Sequence, residues 1–357
     1  MDHIATIDVH THVFPPTLPD LAKVTGDHRW PALVIHESAE STTPTPPIRT
    51  GMIIRGDQTF RAVTATTWDL ASRLTQMDAS GVDQQVLSPV PVMLTTWAEP
   101  KLAASFARSV NEAMASLIRS SSAPTRFRWL GTAPLQDPVL AIAEIEYGLT
   151  IGMSGLEIGT EVGGLELDDP TLLPIWDFAN QVELPIFIHP TDGGGATRRS
   201  GGLYEFALGM QTDTALAASA LTFGGILEAF PKLRIGLSHG CGTFPWAFPR
   251  LARGATLGHA ETVEVIEKAA TLIRRLWADT LVFDQAMIPL LIERFGAEHL
   301  MLGSDFPFYP ASWGDPLAMI RTAASCGSCT AEQATAIAGP NAANFLSSRS
   351  TEGTHHG

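Results

Sequence analysis

Hydrophobic positions along the chain fall in short apolar runs, each followed by a longer amphipathic stretch. The runs at 5–10, 84–88, 128–133, 155–159, 185–189, 234–238, 281–283 and 300–303 predict strands. The stretches at 69–80, 101–120, 138–149, 170–180, 214–229 and 289–295 predict helices, and an extended helical region follows at the C-terminal end. Strands covered by helices read as continuous apolar runs, as Leu184-Pro-Ile-Phe-Ile188 and Leu233-Arg-Ile-Gly-Leu237 largely do. This alternation predicts an α/β fold, a (β/α)8 TIM barrel forming one domain over residues 1–346.

Two segments break the repeat. Residues 13–67 are long and rich in Pro and Thr, with Gly56-Asp57 set between apolar β-formers. That dipeptide predicts a small β-hairpin inserted after strand one. An insertion there sits at the C-terminal rim, over the place where barrel active sites form. Residues 191–202, which contain Gly193-Gly-Gly195 and Arg198-Arg199, are expected to be a mobile loop after strand five. Residues 347–357 are expected to be a disordered tail, and His355 and His356 within it are assigned no function.

Composition narrows the partners. The 357 residues are 45% hydrophobic and 17% charged, a globular composition with ample length for a large core. A net charge of −14 argues against nucleic acid or an anionic membrane as partner. A small anionic substrate stays open, because local cations outweigh a distant negative field. The three cysteines, Cys241, Cys326 and Cys329, form no disulfide framework and fit a reducing, cytoplasmic compartment. Cys326-Gly-Ser-Cys329 has no second pair or nearby histidine to complete a zinc site, and reads as the surface of a late helical turn. No basic segment followed by an apolar one marks a signal peptide, and no apolar run approaches the ~18 residues of a membrane helix.

The chemistry lies at the strand ends. His10 and His12 are two apart on strand one, so their imidazoles project to the same side. Strand five ends in His189, strand six leads to His239 and strand eight to Asp305. Closing the barrel gathers all five around one mouth. His10, His12, His189 and Asp305 would supply three nitrogens and one oxygen to a divalent ion with an exchangeable water. That donor set suits zinc and also admits manganese or another divalent metal. His239 either completes the ligand set or stands outside it and exchanges protons with the water. Asp305 fits both ligand and base.

These residues, in this order, resemble the amidohydrolase superfamily, and within it the 2-amino-3-carboxymuconate 6-semialdehyde decarboxylase branch. The resemblance runs from Ile7 to about Leu346. It includes Thr59-Phe-Arg61, Trp68-Asp69, Met77-Asp-Ala-Ser-Gly-Val82, Pro91-Val-Met93 and Leu165-Glu-Leu-Asp-Asp169. It continues in Phe230-Pro-Lys-Leu233, His239-Gly-Cys-Gly-Thr-Phe-Pro245 and Leu302-Gly-Ser-Asp-Phe-Pro-Phe308. It implies zinc held by His10, His12, His189 and Asp305, with His239 as acid/base. It also implies that Arg61 and Arg250 hold substrate carboxylates, that Arg250 reaches the neighbouring active site of a homodimer, and that Phe308 walls the pocket. By position alone, Arg61 is a hairpin surface charge and Arg250 a helix surface charge.

The chain departs from the family pattern after strand five. Pro190-Thr-Asp192-Gly-Gly-Gly195 stands where the family usually has Pro-Trp-Asp and further bulky residues, and Leu203 takes the place of a downstream tryptophan. The implied activity is non-oxidative, metal-dependent decarboxylation of a carboxylated unsaturated or aromatic acid. Either addition of metal hydroxide or direct protonation of the ring carbon would precede loss of CO2. A hydrolase or hydratase of a lactone, amide or enol acid would use the same ligands, and CO2 release separates the two. A non-enzymatic binding protein would hold no metal.

Overall fold

The computed structural model describes residues 4–36, 49–56, 58–257, 262–309 and 315–347. Eight parallel strands form the central sheet in chain order: β1 (Ile7–Val13), β2 (Gln84–Pro89), β3 (Phe127–Gly131), β4 (Gly155–Ile158), β5 (Pro185–Ile188), β6 (Arg234–Leu237), β7 (Leu276–Asp279) and β8 (Leu300–Met301). Backbone hydrogen bonds beyond the short β8 close the barrel onto β1: Val9 N to Leu302 O at 2.9 Å, Asp305 N to His10 O at 2.8 Å and His12 N to Phe306 O at 2.7 Å. The TIM-barrel expectation therefore holds, and this closure sets Asp305 beside His10 and His12.

Strand seven is a correction. It lies at Leu276–Asp279, not at 281–283. Asp279 side-chain Oδ1 accepts from Leu281 N at 3.0 Å, which turns the chain, and Phe283 has a φ of +58°. That left-handed conformation is incompatible with a strand.

Several of the outer helices begin with side-chain caps. α1 (Leu70–Ser80) is capped by Asp69, whose carboxylate accepts from Ala71 N and Ser72 N. After α2 (Pro100–Arg119), α3 (Pro138–Thr150) opens with proline behind an Asp137 cap, satisfying amides that an isolated helix leaves unpaired. α4 (Leu173–Gln181) follows β4. The helix expected over 214–229 is two, α5 (Met210–Phe223) and Ile226–Ala229, separated by Gly224 and a left-handed Gly225. Two helices follow β6: α6 (Phe244–Gly254), which carries Arg250 on a helix as its position suggests, and Thr262–Ile273, which the sequence pattern did not reveal. α7 (Ile288–Phe295) and α8 (Pro316–Ser325) complete the ring. Cys326 ends α8 and is exposed, whereas Cys329 is buried rather than on the surface.

The C-terminal helix Pro340–Phe345 plugs the lower barrel: Phe345, Ala342 and Leu346 pack with Ile7, Val9, Val86, Leu130, Phe187, Trp277 and Met301. Gly236 makes room, because a Cβ there would stand 2.9 Å from Phe187 and 3.1 Å from Phe345. Phe187 in turn meets the His10 ring at 5.4 Å, so the packed floor supports the polar mouth.

The segment after β1 holds a three-stranded antiparallel sheet, Pro31–Ile35, Thr50–Arg55 and Gln58–Thr64. The sequence reading did not foresee the first of these strands. Asp57 of the expected turn lies outside the described residues. Trp30 seats this unit on the barrel, against Trp97 at 5.0 Å and Phe106 of α2 at 5.2 Å. Buried Arg73 ties three parts together: it donates to Thr66 O and Gln85 Oε1, and closely to the carbonyl of His12. Of the expected tail, residues 348–357 lie outside the described residues. Among the described residues, no helix is long and apolar enough to cross a membrane.

Candidate metal centre and active site

The five strand-end residues meet in one buried chamber. His10 Nε2 and His12 Nε2 are 3.2 Å apart, and Asp305 Oδ1 stands 3.4 Å from the first and 2.9 Å from the second. The His189 ring centroid is 4.9 Å from that of His10 and 4.7 Å from that of His12. His239 Nε2 is 3.8 Å from Asp305 Oδ2. Ligand-capable atoms of His10, His189, His239 and Asp305 all lie within 4.8 Å of one another.

The far side of each ring fixes its tautomer. His10 Nδ1 is 2.6 Å from Asp279 Oδ2, His12 Nδ1 is 3.1 Å from Pro89 O, and His189 Nδ1 is 2.7 Å from Pro190 O. These oxygens only accept, so each Nδ1 carries a proton and donates. When neutral, all three rings therefore turn a bare Nε2 lone pair into the chamber. The Nε2 atoms of His189 and His239 are buried with no hydrogen-bond partner among the described residues. Converging lone pairs beside a carboxylate demand a cation, and nitrogen and oxygen donors without thiolate fit zinc or manganese.

The charges agree. Burial alone would depress the His10 pKa, but hydrogen bonds to Asp279 and Asp305 raise it to about 10. Burial, reinforced by His12, His10 and His239, holds His189 well below the usual imidazole range. Burial also lowers His12. Against burial, the hydrogen bond from His10 keeps Asp305 well below the carboxylate range.

The backbone is strained where it presents these groups. His239, Cys241 and Asp305 are non-glycine residues with φ of +55°, +66° and +56°. Each such conformation costs of order 1 kcal/mol, and clustering at a cleft is a mark of function.

Above the chamber, the Arg61 guanidinium lies 4.6 Å from the Phe206 ring and 5.0 Å from the Phe308 ring. The Phe308 ring is 5.5 Å from His12. Arg61 Nη1 donates to Phe308 O at 3.3 Å, its one side-chain hydrogen bond among the described residues. Arg250 is exposed near the end of α6, outside the chamber of its own chain.

Four residues escaped the sequence reading. Asp279 was hidden by the misplaced strand seven. Glu157 on β4 stands behind His12, with Oε1 3.7 Å from Nδ1, and burial holds its carboxyl well above the usual range. An acid inside the apolar run 155–159 was its available signal. Arg73 was one more polar residue on a helix, and Phe206 lay between the loop expected at 191–202 and the helix expected from 214, in no assigned element.

An amidohydrolase family model matches residues 7–347. The 2-amino-3-carboxymuconate-6-semialdehyde decarboxylase of Dictyostelium discoideum is 32% identical over 343 residues, covering 95% of this chain and 91% of the relative. The fold is similar to that of 5-carboxyvanillate decarboxylase from Sphingomonas paucimobilis, at 24% identity and a TM-score of 0.76, covering 96% of this chain and 99% of that one. It is also similar to a dihydroxybenzoic acid decarboxylase from Polaromonas sp. JS666 solved with manganese and 2-nitroresorcinol, at 19% identity and a TM-score of 0.72, covering 96% and 97%. The chain belongs to the amidohydrolase family and, within it, to the carboxy-lyase branch that includes 2-amino-3-carboxymuconate-6-semialdehyde decarboxylase.

Proposed function

We propose that the chain removes CO2 from 2-amino-3-carboxymuconate 6-semialdehyde or a related carboxylated intermediate of aromatic catabolism. The observation that carries this reading is the convergence of three bare imidazole lone pairs on Asp305 beneath one arginine. His10, His12, His189 and Asp305 would hold the metal, zinc in the first instance and manganese as the alternative. When bound, the ion supplies Lewis-acid polarisation of substrate oxygens.

The remaining work falls to the chain. Arg61 has donors free to clamp a substrate carboxylate, and its stacking between Phe206 and Phe308 fixes the plane of the fork. Phe308 and Phe206 offer apolar walls to an unsaturated or aromatic body. Breaking the C–CO2 bond leaves an electron pair on carbon, which must take up a proton. His239 is suited to deliver it. Its Nδ1 neighbour is the Ser238 hydroxyl at 3.3 Å, which can donate or accept. The tautomer of His239 is therefore free to change, whereas acceptor-only oxygens lock the other three. Asp305 Oδ2 stands 3.8 Å from His239 Nε2 and is placed to exchange the proton with it.

Arg250 would act in the neighbouring subunit of a homodimer. It shares one helix face with Trp246, four residues earlier and 82% exposed, and Leu257 nearby is 83% exposed. Three unpaired cysteines suit a cytoplasmic setting.

The test is an ultraviolet-monitored screen of muconate semialdehydes and ortho-hydroxy or ortho-amino aromatic acids, with zinc or manganese added and CO2 measured. CO2 release from at least one class supports the reading. Water addition with the carboxylate retained would make the chain a hydratase or hydrolase.

A further inference from the structure

Asp279 is the most connected carboxylate of the site, and the mechanism above gives it no role. It is fully buried at the end of β7. Its Oδ2 lies 2.6 Å from His10 Nδ1 and accepts from His239 N at 3.0 Å. Its Oδ1 accepts from Gly240 N at 2.9 Å and from Leu281 N at 3.0 Å. Both oxygens thus face only N–H donors. One neighbour is a proposed metal ligand, and another is the backbone of the proposed acid/base.

The His239 turn needs this support. His239, Gly240 and Cys241 run through three successive left-handed residues, two of them carrying side chains. Amides arranged in this way form a concave donor pair that suits an anion. The Asp279 carboxylate fills that concavity, and the same Oδ2 keeps the proton on His10 Nδ1.

We infer that Asp279 is the positioning residue that couples the metal ligand His10 to the acid/base His239, setting the tautomer of one and the backbone of the other. This inference rests on the metal reading above. It explains why a carboxylate, rather than an amide, occupies the position. An asparagine carries one oxygen and one NH2, so in either orientation an NH2 would confront N–H groups. Facing Gly240 and Leu281, it would leave two buried amides unpaired. Facing His10, it would favour the tautomer with the proton on Nε2, which cannot ligate. Carboxylate support behind a ligating histidine is typically worth about 10–100-fold in metal affinity.

The experiment compares wild type with Asp279→Asn by chelator-competition titration using zinc alone, followed by kinetics at saturating zinc. We expect zinc affinity to fall by roughly 10–100-fold. At saturating zinc, kcat is expected to fall while KM holds, because Arg61 is untouched. Asp279→Glu, which keeps both acceptors, should recover part of the zinc affinity. Nitrogen NMR of histidine-labelled, zinc-loaded wild type serves even if Asp279→Asn fails to fold: the His10 proton must lie on Nδ1. A proton-free His10 Nδ1, or a folded Asp279→Asn with wild-type zinc affinity, overturns this inference alone. A wild type that takes up no zinc at this chamber overturns the metal reading and this inference with it.

Discussion

Arg61 donates from Nη1 to the carbonyl oxygen of Phe308 across 3.3 Å, joining the sheet inserted after β1 to the loop that follows β8. The bond holds a cation over the chamber, because Phe308 lies three residues beyond Asp305 and its ring meets His12. Arg61→Lys is expected to lower kcat/KM about as severely as Arg61→Ala, since an ammonium neither stacks between the two rings nor forms a fork. The loss should be roughly 10–100-fold, corresponding to about 1.5–3 kcal/mol for a hydrogen bond to a charged group. Steady-state kinetics on both variants check this, and a fully active lysine variant would remove Arg61 from substrate binding.

His239→Ala is expected to keep its bound metal and lose nearly all turnover. Metal analysis beside a turnover assay distinguishes the roles. Loss of metal in the variant would place His239 among the ligands, a position its proximity to His10, His189 and Asp305 also allows.

Arg250 faces outward from its own chain. Arg250→Ala should lose activity without unfolding, and mixing it with His239→Ala should restore part of the activity through hybrid dimers. Absence of recovery despite demonstrated subunit exchange would count against a shared site.

Asp8 gives a pH prediction. Burial raises its pKa to about 7 from the ordinary 3.8, despite hydrogen bonds from Ser304 N at 3.1 Å and Ser304 Oγ at 2.5 Å. The folded chain therefore binds this proton more tightly than the unfolded chain does. Between about pH 4 and pH 7 the folded state holds more protons at this site, so Asp8's contribution to stability declines as pH rises. Asp8→Asn should flatten that decline. Thermal unfolding across this range, with chelator present, reads the difference between the two proteins.

Phe345→Ala should destabilise the fold by about 3–5 kcal/mol, the cost of emptying a buried aromatic position. Phe345 fills the barrel floor beneath the site, so denaturant unfolding should register the loss. A change below about 1 kcal/mol would mean that the floor does not depend on this plug.

The sequence made the barrel and its five polar strand-end residues legible for one physical reason. His10, His12, His189, His239 and Asp305 each terminate or closely follow an apolar run, and closing the barrel brings such positions to one rim. Asp279 was lost because Asp279-Thr280 splits residues 276–283 into two short apolar runs, and only the turn at Asp279 reveals which of them is the strand. The bounds of α6 were illegible because Pro245 and Pro249 argue against a helix, although the first stands in its opening turn and the second is tolerated inside. The strand Pro31–Ile35 is an apolar run, Pro-Ala-Leu-Val-Ile, but it lies inside the long Pro- and Thr-rich insertion and its antiparallel partner is about twenty residues away, so no turn signal marked it. Phe206 was missed because its part depends on a contact between Arg61 of the inserted sheet and the segment after β5, which no local pattern encodes.

The central claim is that a single divalent ion in this chamber is required for loss of CO2. Chelator-treated protein should be titrated with zinc or manganese while CO2 release from an accepted substrate is followed. The account predicts negligible release without metal and a rise that breaks at one ion per chain. Equal CO2 release with and without metal would contradict it.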